Sequence, residues 1–352
     1  MRILHLLSSN KLSGAENVAA DICMMFKNEL EMSYCSPDGS IKDALKDREV
    51  NFIPLKKLNI FEVRNAIKNF KPDIIHAHDV KATVIATLVS GKIPVVSHLH
   101  VNANNMSVIS IKSLIYFISS FRVKKIISVS ESCLEEYKFK NFIRNKTVVL
   151  KNIIYENRLK KLIEKDNKKY DFDFVYLGRL TYQKNPERVA KVASQVLKKC
   201  QDARFGVIGE GELKSEMEKI FREEGVIDRV TFTGRLPYPY KALKSAKCML
   251  MCSRYEGLPI AILEAMALGV PIVSTPVDGI TDLVENGVEG FLTSDDEKLA
   301  ESVQSLLENN ELFLEMSSNS ITSFNEFNNE SDYRNRLSDI YIKVINISLC
   351  NK

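Results

Sequence analysis

The sequence predicts an α/β protein built of two doubly wound domains, and three observations carry this prediction. Short apolar segments rich in Ile and Val alternate with amphipathic segments along nearly the whole chain. Apolar segments of strand length that are bounded by turns and separated by helices are typical of parallel strands covered on both faces. The chain has 352 residues, which is long for one domain and suits two. A polar stretch at residues 156–170 interrupts the alternation and divides the chain.

The first half of the chain predicts one parallel sheet with its crossover helices. The strands are expected at residues 2–7, 32–35, 51–53, 73–76, 94–99, 125–129 and 147–150. The helices are expected at residues 15–28, 60–69, 80–89 and 109–121. Because the first apolar segment stops at Ser8, it predicts a buried strand rather than a signal peptide.

The second half repeats the pattern. Strands are expected at residues 172–177, 204–208, 229–232, 247–251, 271–274 and 290–292, and helices at 186–199, 212–224, 259–268 and 296–307. We therefore predict a first domain at 1–155, a linker at 156–170, a second domain at 171–330, and a C-terminal helix at 331–352 that packs back on the first domain. Two such domains would leave an interdomain cleft at the carboxyl ends of their sheets, where ligands bind in doubly wound folds.

Charge is distributed unevenly between the two halves. Residues 1–170 hold 28 Lys and Arg against 17 Asp and Glu, a net charge of +11, and residues 171–352 hold 21 against 28, a net charge of −7. A basic first half suggests an anionic partner there, although lysines that solvate helix faces would give the same count. Nucleic acid is disfavoured because no basic stripe is interleaved with aromatic residues and no binding motif is present.

The cysteines and the lengths of the apolar runs indicate the cellular compartment. The chain has seven cysteines without a CxxC pair, which predicts free thiols in a reducing cytoplasm. No apolar run reaches the roughly 20 residues of a bilayer-spanning helix. We therefore expect a cytoplasmic protein that at most contacts a membrane surface.

The most informative segment is residues 253–269. A predicted strand ends near Cys252, a turn follows, Pro259 stands where the first helical residue is expected, and Gly269 closes the helix. A helix start leaves backbone amides without carbonyl partners, and these form an anion site with positive dipole character. The amides that we expect to serve are those of Gly257, Leu258 and Ile260.

Two carboxylates flank this helix start. Glu256 lies just before the helix and Glu264 lies inside it. Carboxylates beside an anion site are explained if they bind hydroxyl groups, such as those of a sugar and a ribose. A capping glutamate and a surface glutamate would give the same pattern.

A second cluster follows the first strand of the second domain. Arg179 and Lys184 lie between that strand and a helix that opens at Pro186, so both are expected at the carboxyl edge of the sheet. A guanidinium and an ammonium group together suit a diphosphate. Two solvated cations in a loop are the alternative.

In the first domain, Ser13-Gly14-Ala15-Glu16 follows the first strand, and Gly14 would let a ligand approach the backbone closely. The dinucleotide fingerprint GxGxxG is absent there, which disfavours a dehydrogenase. All five histidines lie within residues 1–100, and His100, after a strand end, is the best placed to bind a ligand. A zinc site is conceivable, but Asp79 is the only nearby carboxylate and no i, i+4 histidine pair exists, so no metal is expected.

These motifs resemble the retaining GT-B glycosyltransferases of family 4 over nearly the whole chain. The resemblance rests on the Glu-x7-Glu pattern of Glu256 and Glu264, on Gly-Arg179 with Lys184-Asn-Pro, and on the later Asp278-Gly279 segment. It implies a GT-B fold, a nucleotide-diphosphate sugar as donor, a glycan acceptor, retention of configuration, and no metal cofactor.

The resemblance also implies roles for particular residues. Arg179 and Lys184 would bind the diphosphate, Glu256 the donor sugar and Glu264 the ribose, while Gly14 and His100 would complete the site from the first domain. As catalytic residues we predict Arg179, Lys184, Glu256 and His100. As donor-binding residues we predict Gly14, Glu16, Gly178, Gly257, Leu258, Pro259 and Glu264. Glu16 and Glu256 are the carboxylates that could act as a nucleophile.

The predicted activity is transfer of a hexose or N-acetylhexosamine, from a UDP-sugar by preference, in bacterial surface polysaccharide biosynthesis. The acceptor is expected with the basic half and could be linked to a lipid diphosphate. Residues 109–125 combine an apolar face with four cations, which fits either an interfacial helix or a core helix followed by a buried strand. The cations are Lys112, Arg122, Lys124 and Lys125. A sugar-nucleotide epimerase of the same architecture and a non-catalytic nucleotide-sugar-binding scaffold are the alternative functions.

Overall fold

The computed structural model describes residues 1–100 and 104–350, apart from the side chains of residues 104, 349 and 350. It divides into two compact units, one formed by Met1–Tyr155 with Asn329–Lys352 and the other by Glu156–Asn328. Each unit contains its own parallel sheet with helices on both faces.

The described part of the first unit contains a seven-stranded parallel sheet. In chain order its strands are β1 (Arg2–Leu6), β2 (Glu31–Pro37), β3 (Phe52–Leu55), β4 (Ile74–Ala77), β5 (Val95–Leu99), β6 (Val123–Ser128) and β7 (Thr147–Val149). They are arranged in the order β3-β2-β1-β4-β5-β6-β7, the doubly wound order of a Rossmann-like fold.

The helices of the first unit cover this sheet. They are α1 (Gly14–Met25), α2 (Ile41–Asp47), α3 (Ile60–Phe70), α4 (Val80–Val89), α5 (Asn104–Ser107), α6 (Ile111–Ser120), α7 (Glu131–Glu135) and α8 (Lys140–Ile143). Local sequence fixes where several of them begin: the Asp79 carboxylate accepts the amide of Ala82 at the start of α4, and Ser110 forms a capping box with Ser113 at the start of α6. Asp79 also accepts the amide of Ser8 at 2.8 Å, which ties the end of β1 to the end of β4.

The second unit repeats the design with six described strands. They are β8 (Phe174–Leu177), β9 (Phe205–Ile208), β10 (Val230–Gly234), β11 (Cys248–Met251), β12 (Ile272–Ser274) and β13 (Gly290–Leu292), arranged in the order β10-β9-β8-β11-β12-β13. The helices are α9 (Glu156–Lys165), α10 (Pro186–Lys199), α11 (Lys214–Glu223), α12 (Tyr240–Lys244), α13 (Ile260–Ala267), α14 (Asp296–Glu308) and α15 (Asn310–Phe327). The predicted fold class of two Rossmann-like parallel α/β domains is therefore confirmed.

The structure corrects the prediction of a linker at residues 156–170. Residues Glu156–Lys165 form α9, which belongs to the second unit and buries Arg158, Leu159 and Leu162. The three buried positions lie at i, i+1 and i+4 and therefore share one face of the helix. The polar composition of the stretch obscured this pattern. Helix α15, for which the sequence analysis gave no element, also lies in the second unit.

The chain closes with α16 (Glu330–Cys350), which belongs to the first unit. Arg336 donates to the carbonyl of Val149 at 2.6 Å, and the Tyr341 hydroxyl is 2.8 Å from Nδ1 of His76. Within the described residues, no helix combines the length and apolar character needed to cross a bilayer.

Candidate active site

Two motifs that are far apart in sequence meet in the second unit. Lys184, in the loop after β8, donates from Nζ to Oε1 of Glu256 at 2.5 Å. Both side chains are largely shielded from water, at 13% and 5% exposure. A hydrogen-bonded ion pair of this kind is shorter and stronger than a neutral hydrogen bond, so it fixes the ammonium group at the carboxyl edge of the sheet.

Gln183 joins the remaining members of this cluster. Its Nε2 donates to the carbonyl of Tyr255 at 3.1 Å and to Oε2 of Glu256 at 3.4 Å. Its Oε1 accepts from Nη2 of the exposed Arg179 at 3.3 Å. Arg179, Lys184 and Glu256 are thus brought together, and sequence reasoning missed Gln183, which links them.

The backbone around this cluster is held by neighbouring strands. The amide of Gly178 donates to the carbonyl of Ile208 at 3.0 Å, and the Tyr176 hydroxyl donates to the carbonyl of Arg179 at 2.7 Å. Burial raises the pKa of Tyr176 well above its ordinary value, so this phenol remains a donor. The loop that carries Arg179 is therefore anchored at its base.

The loop from Glu256 leads directly into α13. Gly257, Leu258 and Pro259 are buried, and Pro259 is the residue before the helix, not its first residue as the sequence predicted. The extended backbone of Pro259 (ψ 112°) explains the difference, because helical geometry begins only at Ile260. The start of α13 carries positive potential, because the amides of a first helical turn outnumber the carbonyls available to them.

Gly279 explains why the later Asp278-Gly279 segment accompanies this loop. Its φ is +77°, and a Cβ at this position would lie 2.1 Å from the carbonyl oxygen of Gly257. A side chain would therefore be strained by the backbone conformation and would also displace the loop before α13. The Asp278-Gly279 segment therefore packs against the loop before α13 and supports the candidate anion site.

Glu264 lies inside α13 and has different partners. Its Oε1 accepts from Nη1 of Arg158 at 2.9 Å and from the Tyr240 hydroxyl at 3.3 Å. Arg158 also contacts the Tyr240 hydroxyl and lies over its ring, 5.4 Å from the centroid. The Arg158 side chain is fully buried, and that of Glu264 is 5% exposed.

Arg158 and Tyr240 are residues of the second unit that sequence reasoning missed. Arg158 was hidden because it lies in the stretch interpreted as a linker. The signal that could have found it is the pair Leu159 and Leu162, whose spacing marks one apolar face of a helix.

In the first unit, Gly14 is the first residue of α1. A Cβ at Gly14 would meet nothing within 4 Å, so the packing of the described residues does not require a glycine there. Glu16, two residues further, is buried and accepts a hydrogen bond from the Ser13 hydroxyl. Glu16 is therefore part of the start of α1.

His100 follows β5 and lines a cavity of about 150 Å³ within the first unit. The cavity is also lined by Ala15 beside Gly14, by Asp79 and Glu136, and by Lys112. Burial lowers the pKa of His100 to about 3, so the ring is neutral at physiological pH. Of the two predicted residues, His100 lines this cavity itself, and Gly14 directly precedes Ala15, which also lines it.

The other four histidines lie beside His100. Two groups of three rings each place one nitrogen per ring within 4.8 Å of the others: His5, His76 and His78, and His78, His98 and His100. This spacing could accommodate a metal ion. The sequence expectation of no metal stays a prediction.

Helix α6 presents an unusual surface. It buries Ser113, Ser119 and Ser120 with Tyr116 against the unit, while its apolar side chains face outward. The exposed apolar residues of this region are Val108, Ile109, Ile111, Leu114, Ile115, Ile118, Phe121 and Phe142. The sequence allowed either an interfacial helix or a core helix followed by a buried strand. Residues 123–128 do form a strand, but the helix before it does not bury its apolar face.

Comparison with known proteins assigns this architecture. The model of the family described as Glycosyl transferases group 1 matches residues 157–322, and that of Glycosyltransferase Family 4 matches residues 13–158. The two Rossmann-like units have the fold of the GT-B class. The chain belongs to the group 1, family 4 glycosyltransferases, as the motif resemblance predicted.

Individual relatives agree with the family assignment. A glycosyltransferase of Methanocaldococcus jannaschii is 27% identical over 237 residues, 61% of this chain and 58% of that protein, so the match spans less than two thirds of the relative. The Escherichia coli UDP-Gal:alpha-D-GlcNAc-diphosphoundecaprenol alpha-1,3-galactosyltransferase is 26% identical, with 83% of this chain and 84% of that protein covered. The Anabaena protein HepE, solved with UDP and glucose, has a TM-score of 0.81 at 20% identity over 96% of this chain and 98% of its own.

Proposed function

We propose that the protein transfers a hexose or N-acetylhexosamine from a UDP-sugar to a glycan acceptor with retention of anomeric configuration. The observation that carries this proposal is the contact between Lys184 and Glu256, which joins two motifs at the start of α13. A fixed cation, an exposed guanidinium and the amides of a helix start suit a diphosphate, and the adjacent carboxylate suits sugar hydroxyls.

The proposed mechanism follows from the charge that develops during transfer. As the bond between the anomeric carbon and the phosphate oxygen breaks, the sugar becomes oxocarbenium-like and negative charge grows on the leaving diphosphate. Lys184 and Arg179 stabilise that charge with the first amides of α13, and they do so without a metal ion. Preorganised donors of this type contribute several kcal/mol to catalysis.

Glu256 has a second role in this proposal. Because its Oε1 accepts from Lys184, it positions the ammonium group and offsets its charge. Glu264 is proposed to bind the ribose hydroxyls, in an orientation that Arg158 fixes. In the first unit, His100 is the residue proposed to bind a ligand hydroxyl or phosphate.

The acceptor is proposed to be a growing bacterial surface glycan on a lipid diphosphate, reached from the cytoplasmic side. Two observations support this: the net charge of +8 over residues 1–155, from 22 Lys and Arg against 14 Asp and Glu, and the undecaprenol-linked acceptor in the name of the E. coli relative. A diphosphate-linked substrate is anionic and would be attracted to a basic unit.

The test is a donor panel read in two ways. The true donor among UDP-, GDP- and ADP-sugars should raise the melting temperature, because a ligand that binds the native state stabilises it. Its sugar should then be transferred to a lipid-diphosphate-linked glycan, and not isomerised without one. Isomerisation of the donor alone would identify an epimerase, and binding without turnover would identify a scaffold.

We also propose that α6 contacts the membrane surface. Its exposed residues Ile111, Leu114, Ile115 and Ile118 follow the i, i+3, i+4, i+7 spacing of one helix face. Lys112 and Arg122 lie exposed on and beside this helix. An apolar face rimmed by cations is the composition that binds an anionic lipid interface.

The variant Ile111→Ser/Ile115→Ser/Ile118→Ser is expected to weaken binding to phosphatidylglycerol vesicles by at least about tenfold, because each isoleucine loses apolar area that would enter the lipid. Flotation at low salt measures the effect. The matched control is Leu314→Ser, which removes an exposed apolar side chain from α15 in the other unit and should leave binding unchanged. Wild-type protein that does not float with these vesicles would contradict the proposal.

A further inference from the structure

The five histidines of the chain occupy one face of the first sheet. His5 lies in β1 opposite His76 of β4, and His98 lies in β5. His78 and His100 follow two residues after His76 and His98, and alternate residues of a strand point to the same side. His5, His76, His78 and His98 are at most 1% exposed.

Three of these rings form a continuous hydrogen-bonded chain. Nδ1 of His5 is 2.8 Å from Nε2 of His78, and Nδ1 of His78 is 3.1 Å from Nε2 of His100. Both nitrogens of His78 are therefore used, one on each side. His98 stacks on His100 with a centroid distance of 4.0 Å, and neither of its ring nitrogens has a hydrogen-bond partner among the described residues.

The protons of this chain must all point the same way. Burial lowers the pKa of His5 and His100 to about 3 and that of His78 well below its ordinary value, so the three rings are neutral at pH 7. A neutral imidazole has one donor and one acceptor nitrogen. Two arrangements remain: every proton on Nδ1, or every proton on Nε2.

The ends of the chain decide between these arrangements. Within the described residues, Nε2 of His5 and Nδ1 of His100 lack a partner. Protons on Nε2 would leave a donor of the fully buried His5 unpaired, and an unpaired buried N–H is rarer than an unpaired acceptor. Protons on Nδ1 instead place the unpaired donor on His100, whose ring lines the cavity together with that of His78, so an oxygen of a ligand bound there can accept from it.

A metal ion fits these distances less well than a shared proton. Nitrogens around tetrahedral zinc are about 3.3 Å apart, given Zn–N distances of about 2.0–2.1 Å. The two observed separations of 2.8 and 3.1 Å are shorter and match hydrogen bonds. A divalent ion would also have to leave water for a deeply buried position, which costs free energy.

We propose that His78 is a positioning residue that, together with His5, fixes His100 as an N–H donor at Nδ1 toward an oxygen of the bound substrate, a sugar hydroxyl or a phosphate. The inference rests on the proposed role of His100 in transfer. The ring of His78 lines the same cavity, but both of its nitrogens are bonded to neighbouring rings and neither is available to hydrogen-bond a substrate. Its contribution is to fix which ring nitrogen of His100 carries the proton.

The first test is independent of activity. In protein labelled with ¹⁵N-histidine, two-bond ¹⁵N–¹H spectra report the tautomer of each of the five rings. We expect the Nδ1–H form for His5, His78 and His100 between pH 6 and 8. The Nε2–H form at these three positions, or a stoichiometric metal whose removal by EDTA shifts their signals, would overturn the proposal even if no variant folds.

The second test uses variants of matched size. His78→Phe should release the tautomer of His100 and lower kcat/KM for transfer by about tenfold, the cost of one lost hydrogen bond in the site. His78→Asn keeps a donor amide toward His100 and should recover most of the activity. His98→Phe preserves the stacked ring without touching the chain and should leave the three tautomers unchanged.

The two tests separate the failures. Nδ1–H tautomers that disappear in His78→Phe and return in His78→Asn, without any change in transfer, would refute the role of His100 in the proposed function and leave the positioning chain intact. A wild-type spectrum without the Nδ1–H forms would refute the proposed hydrogen-bonded chain of histidines. The donor panel would still test the proposed transfer activity.

Discussion

Lys184→Ala is expected to lower kcat for sugar transfer by about 10²–10³-fold, the cost of removing one preorganised donor from developing negative charge. Lys184 is held at 2.5 Å from Glu256, so the wild-type site needs little rearrangement to present its ammonium group. The melting temperature of the variant reports the separate cost of leaving the buried Glu256 with fewer donors. Initial rates with the donor identified by the panel measure the catalytic loss.

Two further variants make the result specific. Lys191→Ala removes an exposed lysine from α10 and should retain wild-type rates. Lys184→Ala/Glu256→Ala should lose about as much as the more damaging single variant, because residues that act as one unit are not additive. Rates that multiply independently in the double variant, or a Lys184→Ala enzyme within a few-fold of wild type, would contradict the proposed role.

The fold could be predicted from the sequence because its signals are local. A parallel strand buried on both faces is an apolar run, and Arg2–Leu6 or Cys248–Met251 can be recognised without knowledge of their neighbours. Helix ends are equally local, as with Pro186 at the start of α10 and Gly269 after α13. Boundaries shifted where a proline or a cap allowed more than one geometry, as at Pro259.

The partners of each side chain could not be predicted in this way. Lys184 and Glu256 are 72 residues apart, and no sequence pattern states that their side chains pair with each other. Residue composition misled at Arg158, because a charged residue in a polar stretch is ordinarily exposed. The same limit applies to His5, which lies in the first predicted strand and which the structure joins to His78.

Helix α6 illustrates a different limit. Its periodicity correctly marks an amphipathic helix, but periodicity does not say which face is turned inward. Here the serines are buried, where Ser113 donates to the carbonyls of Val108 and Ser110 and accepts a capping bond, and the isoleucines are exposed. Which face of a helix is buried depends on its tertiary contacts, and sequence patterns do not describe these.

Arg158→Met is expected to lower the free energy of unfolding by about 3–5 kcal/mol, the largest effect on stability that we predict. The guanidinium is fully buried, and its loss removes the ion pair at 2.9 Å from the carboxylate of Glu264, which is 5% exposed. Tyr240 remains as a donor at 3.3 Å, but a phenol does not neutralise a buried charge. Urea unfolding of the full chain, with midpoint and slope fitted together, measures the change.

A double variant and a surface control distinguish the ion pair from simple packing. Lys160→Met lies on the same helix, is 76% exposed, and should change the stability by no more than about 0.5 kcal/mol. Arg158→Met/Glu264→Leu removes both charges and should recover most of the lost stability, since an apolar pair of similar volume can replace a buried ion pair. Equal losses in the single and double variants would show that the charges are not coupled.

The double variant also separates stability from donor binding. If Arg158 serves to hold Glu264 ready for the ribose hydroxyls, then the restored fold of Arg158→Met/Glu264→Leu should still bind the donor poorly, because the carboxylate is gone. The thermal shift on addition of the donor should fall by an amount set by the logarithm of the ratio of the two Kd values, since ligand stabilisation follows the logarithm of concentration over Kd. A double variant that is as stable as wild type and binds the donor equally well would reduce the Arg158–Glu264 pair to a structural element of the second unit.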